Sequence, residues 1–350
     1  MLKQKSIVLL MLVIILIVAV GCSDEEPEVN SEQVNEETLN ESIGTEEDIE
    51  PLHVITTFYP YYDFVKSIAG EHVKVDQMVA VGADPHSYEP SPRDIIELEN
   101  ADIFIYNGLS MEPWIDDVLE MLNDTNVRIL KASDYVSIRE YRHDHDLDHE
   151  HDHEHDHDHD HDHDHDHEHD HDHDHGEYDP HIWTDPKNVI AISEQIKEIL
   201  AEKDPNNKEY YSVNYRNFES ELLKLHENFE TIMEEAHSNI ILVSHSAFGY
   251  LADRHGINEI AVTGISPHAE PNPGRLAELT NLAREYELQY IFFETLANPR
   301  TAEILAEEAG LEPLMLHNLE GLTTEQREAG ENYISLMRQN ADTIRKALVE

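Results

Sequence analysis

The chain has a single cysteine, Cys22, in 350 residues, so an intramolecular disulfide is excluded. Basic residues are scarce: 23 Lys and Arg stand against 75 Asp and Glu, and the formal charge of −52 argues against a nucleic-acid partner. No apolar run reaches the about 20 residues of a permanent membrane span. The longest, Ile7 to Val20, stops at Gly21-Cys22 and turns abruptly to Ser23-Asp24-Glu25-Glu26. His-Glu-x-x-His occurs only inside the low-complexity His/Asp tract, opening at His149, His153 and His167, where no apolar periodicity predicts the helix that would make it a catalytic zinc signature.

Lys3 and Lys5 precede the apolar run, giving the layout of a secretory signal. The small residues Ala19 and Gly21 ahead of Cys22 look like a bacterial lipobox, with Cys22 as the lipid-modified first residue after cleavage, although Ala19 stands where the usual motif has Leu. Residues 1–22 are therefore expected to be a lipoprotein signal. From residue 23 to 50 the chain is acidic, poor in aromatics and without apolar periodicity, so it is expected to be a disordered tether. The remainder is long enough for two domains with cores of their own.

Short apolar segments alternate with amphipathic ones. Strands are expected at 53–58, 73–81, 102–106 and 127–130, with helices at 61–69, 93–99 and 114–122 between them. A second set follows, with strands at 240–243, 257–262, 290–293 and 313–316, and helices through Tyr250 and at 274–286, 300–309 and 331–348. This alternation predicts an α/β protein of two lobes, 51–206 and 237–350, each a parallel sheet flanked by helices. Between them, Tyr211, Tyr215, Phe218, Leu222, Leu225, Phe229, Ile232 and Met233 recur at intervals of three and four. They predict one amphipathic helix over 207–236, about 45 Å long, as a rigid connector.

Three histidines fall where strands run into loops, the usual ligand-binding edge of a parallel sheet. His86 lies in Asp84-Pro85-His86-Ser87-Tyr88-Glu89-Pro90, His181 in Asp179-Pro180-His181-Ile182-Trp183, and His245 in Ser244-His245-Ser246-Ala247-Phe248. The repeated Asp-Pro-His suggests a shared device in which proline stiffens the loop and the acid orients the imidazole. Whether Asp84 and Asp179 do this is not decided by sequence.

These segments, with Tyr88-Glu89-Pro90-Ser91-Pro92, Gly264-Ile265-Ser266-Pro267, Glu270-Pro271 and Asn318-Leu319-Glu320-Gly321-Leu322-Thr323, resemble the metal-binding receptors of ABC importers. Within that cluster the chain is similar to the zinc-specific ZnuA/AdcA-like lipoproteins, from about His53 to the C-terminus. The resemblance implies that His86 and His181 are first-lobe metal ligands, and that His245 and Glu320 are second-lobe ligands. Three imidazoles and a carboxylate suit Zn2+. Manganese-type receptors of the same cluster carry a carboxylate where His245 stands, so His245 favours zinc over that alternative. Glu294, His317 and His268 are the other residues expected near the cleft, as outer or structural groups. The implied protein is a receptor rather than an enzyme, monomeric, held by lipid on the outer face of a bacterial membrane, and partnered by an ABC permease and its ATPase. A surface zinc buffer or adhesin without a transport role is the competing reading.

One segment is unlike the rest. Residues 143–175 alternate His with Asp or Glu, supplying His143, His145, His149, His151, His153, His155, His157, His159, His161, His163, His165, His167, His169, His171, His173 and His175. Such tracts read as metal-binding, and this one resembles the His-rich loop of zinc receptors. It is expected to be an auxiliary capture segment, less specific than the cleft, with an acidic solvated loop as the plain alternative.

Overall fold

A computed structural model describes residues 51–141, 178–269, 271–296 and 300–350. The expected signal with Cys22, the acidic stretch to residue 50 and the His/Asp tract lie outside the described residues.

The first half runs β1 (Leu52–Thr56), α1 (Tyr59–Ala69), β2 (Val73–Gln77), α2 (Pro92–Glu99), β3 (Ile103–Tyr106), α3 (Ile115–Leu122) and β4 (Arg128–Lys131). Its strands form a parallel sheet in the order β2-β1-β3-β4. Every residue of β3 is buried, as a central strand covered on both faces requires. Strand β2 stops at Gln77, short of the expected Val81, although the N–H groups of Met78 and Val79 still donate to the carbonyls of Thr56 and Thr57. The chain then turns at Gly82, whose φ of 80° suits glycine.

The second half comprises β5 (Ile240–His245), α6 (Gly249–His255), β6 (Asn258–Thr263), α7 (Pro273–Glu285), β7 (Tyr290–Phe293), α8 (Arg300–Ala309) and β8 (Glu312–Met315). Its parallel sheet has the order β6-β5-β7-β8, the same pattern as the first. In each sheet the chain reverses its direction of travel beside the first strand. The crevice at that reversal opens beyond the carboxyl ends of the strands.

Two elements were not expected from the sequence. Helix α4 (Pro186–Lys203) starts at Asp185, which accepts from the Lys187 N–H at 2.9 Å, with Pro186 at the first helical position. Its buried Val189, Ile192, Ile196, Ile199 and Leu200 form a stripe at helical spacing. The short helix α9 (Thr324–Ala329) follows the Glu320 loop and is held by a capping box between Thr323 and Gln326. Thr323→Ala is expected to cost about 1 kcal/mol through loss of this cap, read as a lower melting temperature of the metal-free chain.

Helix α5 (Lys208–Glu235) is the expected connector, 28 residues and about 42 Å long. The predicted stripe from Tyr211 to Ile232 is buried, with Met233 at its edge. A second connection was not foreseen. The last helix, α10 (Tyr333–Leu348), packs along α5, and its first residue reaches the other half. There the Tyr333 ring meets Phe64 edge-on at 5.1 Å, its hydroxyl donates to the Trp183 carbonyl at 2.8 Å, and its N–H donates to Asp63. One apolar cluster therefore runs continuously from Val54 through α5 to Leu348. A wide hinge opening would expose that shared core to water, a cost of about 25 cal/mol per Å² of apolar surface.

Candidate metal centre

His86 sits in a short 3-10 turn, Pro85–Ser87, after β2. Asp84 caps the turn by accepting the His86 backbone N–H at 2.8 Å, while its other oxygen is ion-paired with His268 from the opposite rim. In the matching motif Asp179 does more: Oδ1 accepts the His181 backbone N–H at 3.0 Å and lies 2.8 Å from the ring Nδ1. Nδ1 is therefore the protonated nitrogen and Nε2 is left to face the cleft. The same tripeptide orients an imidazole in one loop and only the backbone in the other.

His245 is the last residue of β5, and Glu294 is the first beyond β7, so the two flank the crevice of the second sheet. Glu294 gathers the Ser244 hydroxyl at 2.6 Å, the His245 N–H at 3.3 Å and the Asn318 side-chain amide at 2.9 Å. Its Oε2 lies 2.5 Å from His245 Nδ1, off the line of a directed hydrogen bond, so charge is the main component of that contact. The first sheet carries a counterpart. Glu112 accepts from Thr57 and from the N–H groups of Asn107 and Gly108, and Asn107 in turn donates to the Pro180 carbonyl beside His181. Burial pushes the Glu112 carboxyl up to about 7 despite these donors.

Glu320 arrives on the loop after β8. Leu319 before it is in the left-handed region, with φ 65°, and its N–H is held by His317 Nδ1 at 2.9 Å. Asn318 locks the loop from three sides, with its carbonyl accepting from Trp183 Nε1, its amide donating to Glu294 and its side-chain oxygen facing the Glu320 N–H.

The result is a convergence of four donors. Glu320 Oε1 lies 3.2 Å from His86 Nε2, 3.4 Å from His181 Nε2 and 3.7 Å from His245 Nε2, and the last two nitrogens are 3.4 Å apart. All four donor atoms fall within 4.8 Å of one another, His86 being half-buried and the others buried. A tetrahedron with metal–ligand bonds of about 2.0–2.1 Å has edges of about 3.3–3.4 Å. Four of the six mutual separations, at 3.2–3.7 Å, lie close to that edge.

Burial alone would push the Glu320 carboxyl up, but the His86 charge and the three imidazole contacts hold it well below the usual carboxylate range. For His181, burial pushes downward and is outweighed by Asp179 and Glu320, leaving the imidazole at about 9. His245 is likewise raised against its burial, by Glu294 and then Glu320. Without an ion the cluster holds protons where a cation would sit.

Of the other expected neighbours, Glu294 supports His245 and His268 closes the rim against Asp84. His317 is absorbed in the loop, with its N–H donating to Asn340 and Nε2 near Gln326. Sequence reading missed Arg139 and Tyr250. Arg139 bridges Asp179 on one half and Asp253 on the other, and the Tyr250 hydroxyl joins the Arg139 N–H to the Asp179 carbonyl. Gly249 permits this approach, since a Cβ there would meet Arg139 Nη1 at 2.4 Å and Asp179 Oδ2 at 2.5 Å. Gly249→Ala is expected to weaken metal binding about tenfold by displacing Asp179, measured by competition titration with a chelator.

The sequence profile described as "Zinc-uptake complex component A periplasmic", ZnuA, matches residues 54–347. The chain belongs to this family. It is 34% identical over 301 residues to the high-affinity zinc uptake system protein ZnuA of Bacillus subtilis, covering 85% of this chain and 88% of the relative. It is 32% identical to the zinc-binding lipoprotein AdcA of Streptococcus pneumoniae, covering 84% of this chain and spanning only 55% of that longer protein. The crystal structure of the Zn(II)-bound ZnuA-like domain of the pneumococcal AdcA superposes with a TM-score of 0.69 at 31% identity, covering 86% of this chain and all of that domain. This ZnuA-family chain thus shares its two-sheet architecture with a zinc-bound relative.

Proposed function

We propose that this ZnuA-family chain is an extracytoplasmic zinc receptor, holding one Zn2+ on His86, His181, His245 and Glu320 and delivering it to an ABC permease and its ATPase. One observation carries the reading: three imidazoles and one carboxylate, two from each half of the protein, converge within 4.8 Å of one another, four of their six separations being 3.2–3.7 Å, before any ion is added. That donor set suits Zn2+, and four protein ligands close the site, leaving no open position for a hydrolytic water. The reading is therefore of a binding protein rather than an enzyme. Relatives named for zinc binding and zinc uptake support it. Lipid attachment at Cys22, action as a monomer and auxiliary capture by the tract from residue 143 to 175 belong to the same proposal.

Competition titration of Zn2+ and Mn2+ tests the cleft. Tighter binding of Zn2+ at one high-affinity site, lost in His181→Ala and His86→Ala while the weaker binding of the tract remains, is the expected outcome. Preference for Mn2+, or zinc binding unchanged in both variants, would overturn the assignment.

A further inference from the structure

A second pair of histidines lies away from the cleft, where α6 packs on the connector α5. His226 of α5 and His255 of α6 have ring centroids 5.0 Å apart, inclined by 51°. In the cleft the corresponding separations are 5.2, 5.6 and 6.0 Å. Two imidazoles about 2.0–2.1 Å from one ion at a tetrahedral angle place their ring centroids roughly 5 Å apart.

The pair is also short of partners. Seven buried side-chain nitrogens and oxygens lack a hydrogen-bond partner among the described residues, and three belong here: His226 Nδ1 and both ring nitrogens of His255. His255 is 9% exposed. Orphaned polar atoms at such depth call for a bound water or ion. The remaining nitrogen, His226 Nε2, lies 3.5 Å from Glu230, one helical turn further along α5, and Phe229 covers the His255 ring at 5.4 Å. The adjacent Arg254 is engaged by Asp185, so its charge is already met. Burial, with His226 and Arg254 nearby, lowers His255 to about 4, keeping its lone pair available at neutral pH.

We propose that His226 and His255 form a second metal site, taking a divalent cation that prefers imidazole, with Zn2+ as the probe. The proposal stands apart from the receptor reading of the cleft. The cleft is the one group of three or more close metal-ligating side chains among the described residues. Water, or a rotated Glu230, must therefore complete this second shell, and its affinity is lower than that of a four-ligand site. A bound ion would fasten α6 to α5, and α6 is the helix whose Tyr250 and Arg254 grip the chain on both sides of His181.

Anomalous diffraction at the zinc edge from the zinc-loaded full chain tests this directly. The expected result is a peak between the two rings, lost in His226→Gln while the cleft peak stays. No peak there, or one that persists in the variant, would overturn the proposal. In solution, sites that survive unfolding do not move the melting temperature, because a ligand stabilises only by preferring the folded state. With the cleft disabled by His181→Ala and His245→Ala, millimolar Zn2+ is expected still to raise the melting temperature, and adding His226→Gln is expected to abolish that rise. No rise, or a rise indifferent to His226→Gln, would sink the idea.

Discussion

Replacing His245 with Ala is expected to lower zinc affinity by more than about 100-fold, and independently to lower the melting temperature of the metal-free chain. The first effect follows from the donor count. Loss of a partner that merely orients a ligand typically costs about 10–100-fold in affinity, and loss of a direct donor exceeds this. The second follows from Glu294, whose carboxylate is buried 2.5 Å from His245 Nδ1. Removing one member of a buried pair leaves the other uncompensated, at a cost of about 3–5 kcal/mol, here reduced by the donors that Glu294 keeps in Ser244 and Asn318. The two effects are separable. Adding Glu294→Gln removes the stranded charge, so the double variant should regain melting temperature without regaining zinc affinity. Should Glu294→Gln restore affinity as well, His245 would be a supporting residue and not a donor.

Those features of the chain that are local or periodic were legible in its sequence. The α5 stripe declares itself because every third or fourth residue must face the same core, and each Asp-Pro-His marks a turn because proline and a capping acid restrict the backbone at that point. Alternating strands and helices fixed the parallel sheets for the same reason. The stripe of α4 was present too, from Val189 to Leu200, but its start is hidden in the segment that also carries His181. What brings the centre together is not periodic. Glu320 meets His86 across 234 residues, and its direction depends on Asn318, on the left-handed Leu319 and on a bond to Trp183 from the other half. Nothing local distinguishes Glu320 from the many exposed glutamates of the chain; only the family resemblance singled it out. Arg139 is similar, since its role exists only once Asp179 and Asp253 face each other.

The same geometry predicts that zinc affinity rises steeply with pH. In the metal-free centre His181 titrates at about 9 and His245 is also raised, both held by acidic neighbours, so at pH 7 the cleft keeps at least one imidazolium that zinc must displace. Each displaced proton changes the apparent affinity tenfold per pH unit. One or two protons would make binding about 10- to 100-fold tighter at pH 8 than at pH 7. Stability of the metal-free chain moves the other way. A histidine whose folded pKa lies above the unfolded value near 6.5 contributes stability that is fully present below 6.5 and is lost as pH rises through 9. The gap in melting temperature between zinc-loaded and metal-free protein should therefore widen steadily from pH 6 to pH 9. This gap is insensitive to histidines that bind equally well in the unfolded chain, so it reports the cleft even with the His/Asp tract in place. A gap independent of pH over that range would mean that the cleft is already deprotonated, and that Asp179, Glu294 and Glu320 do not hold protons in the place of the ion.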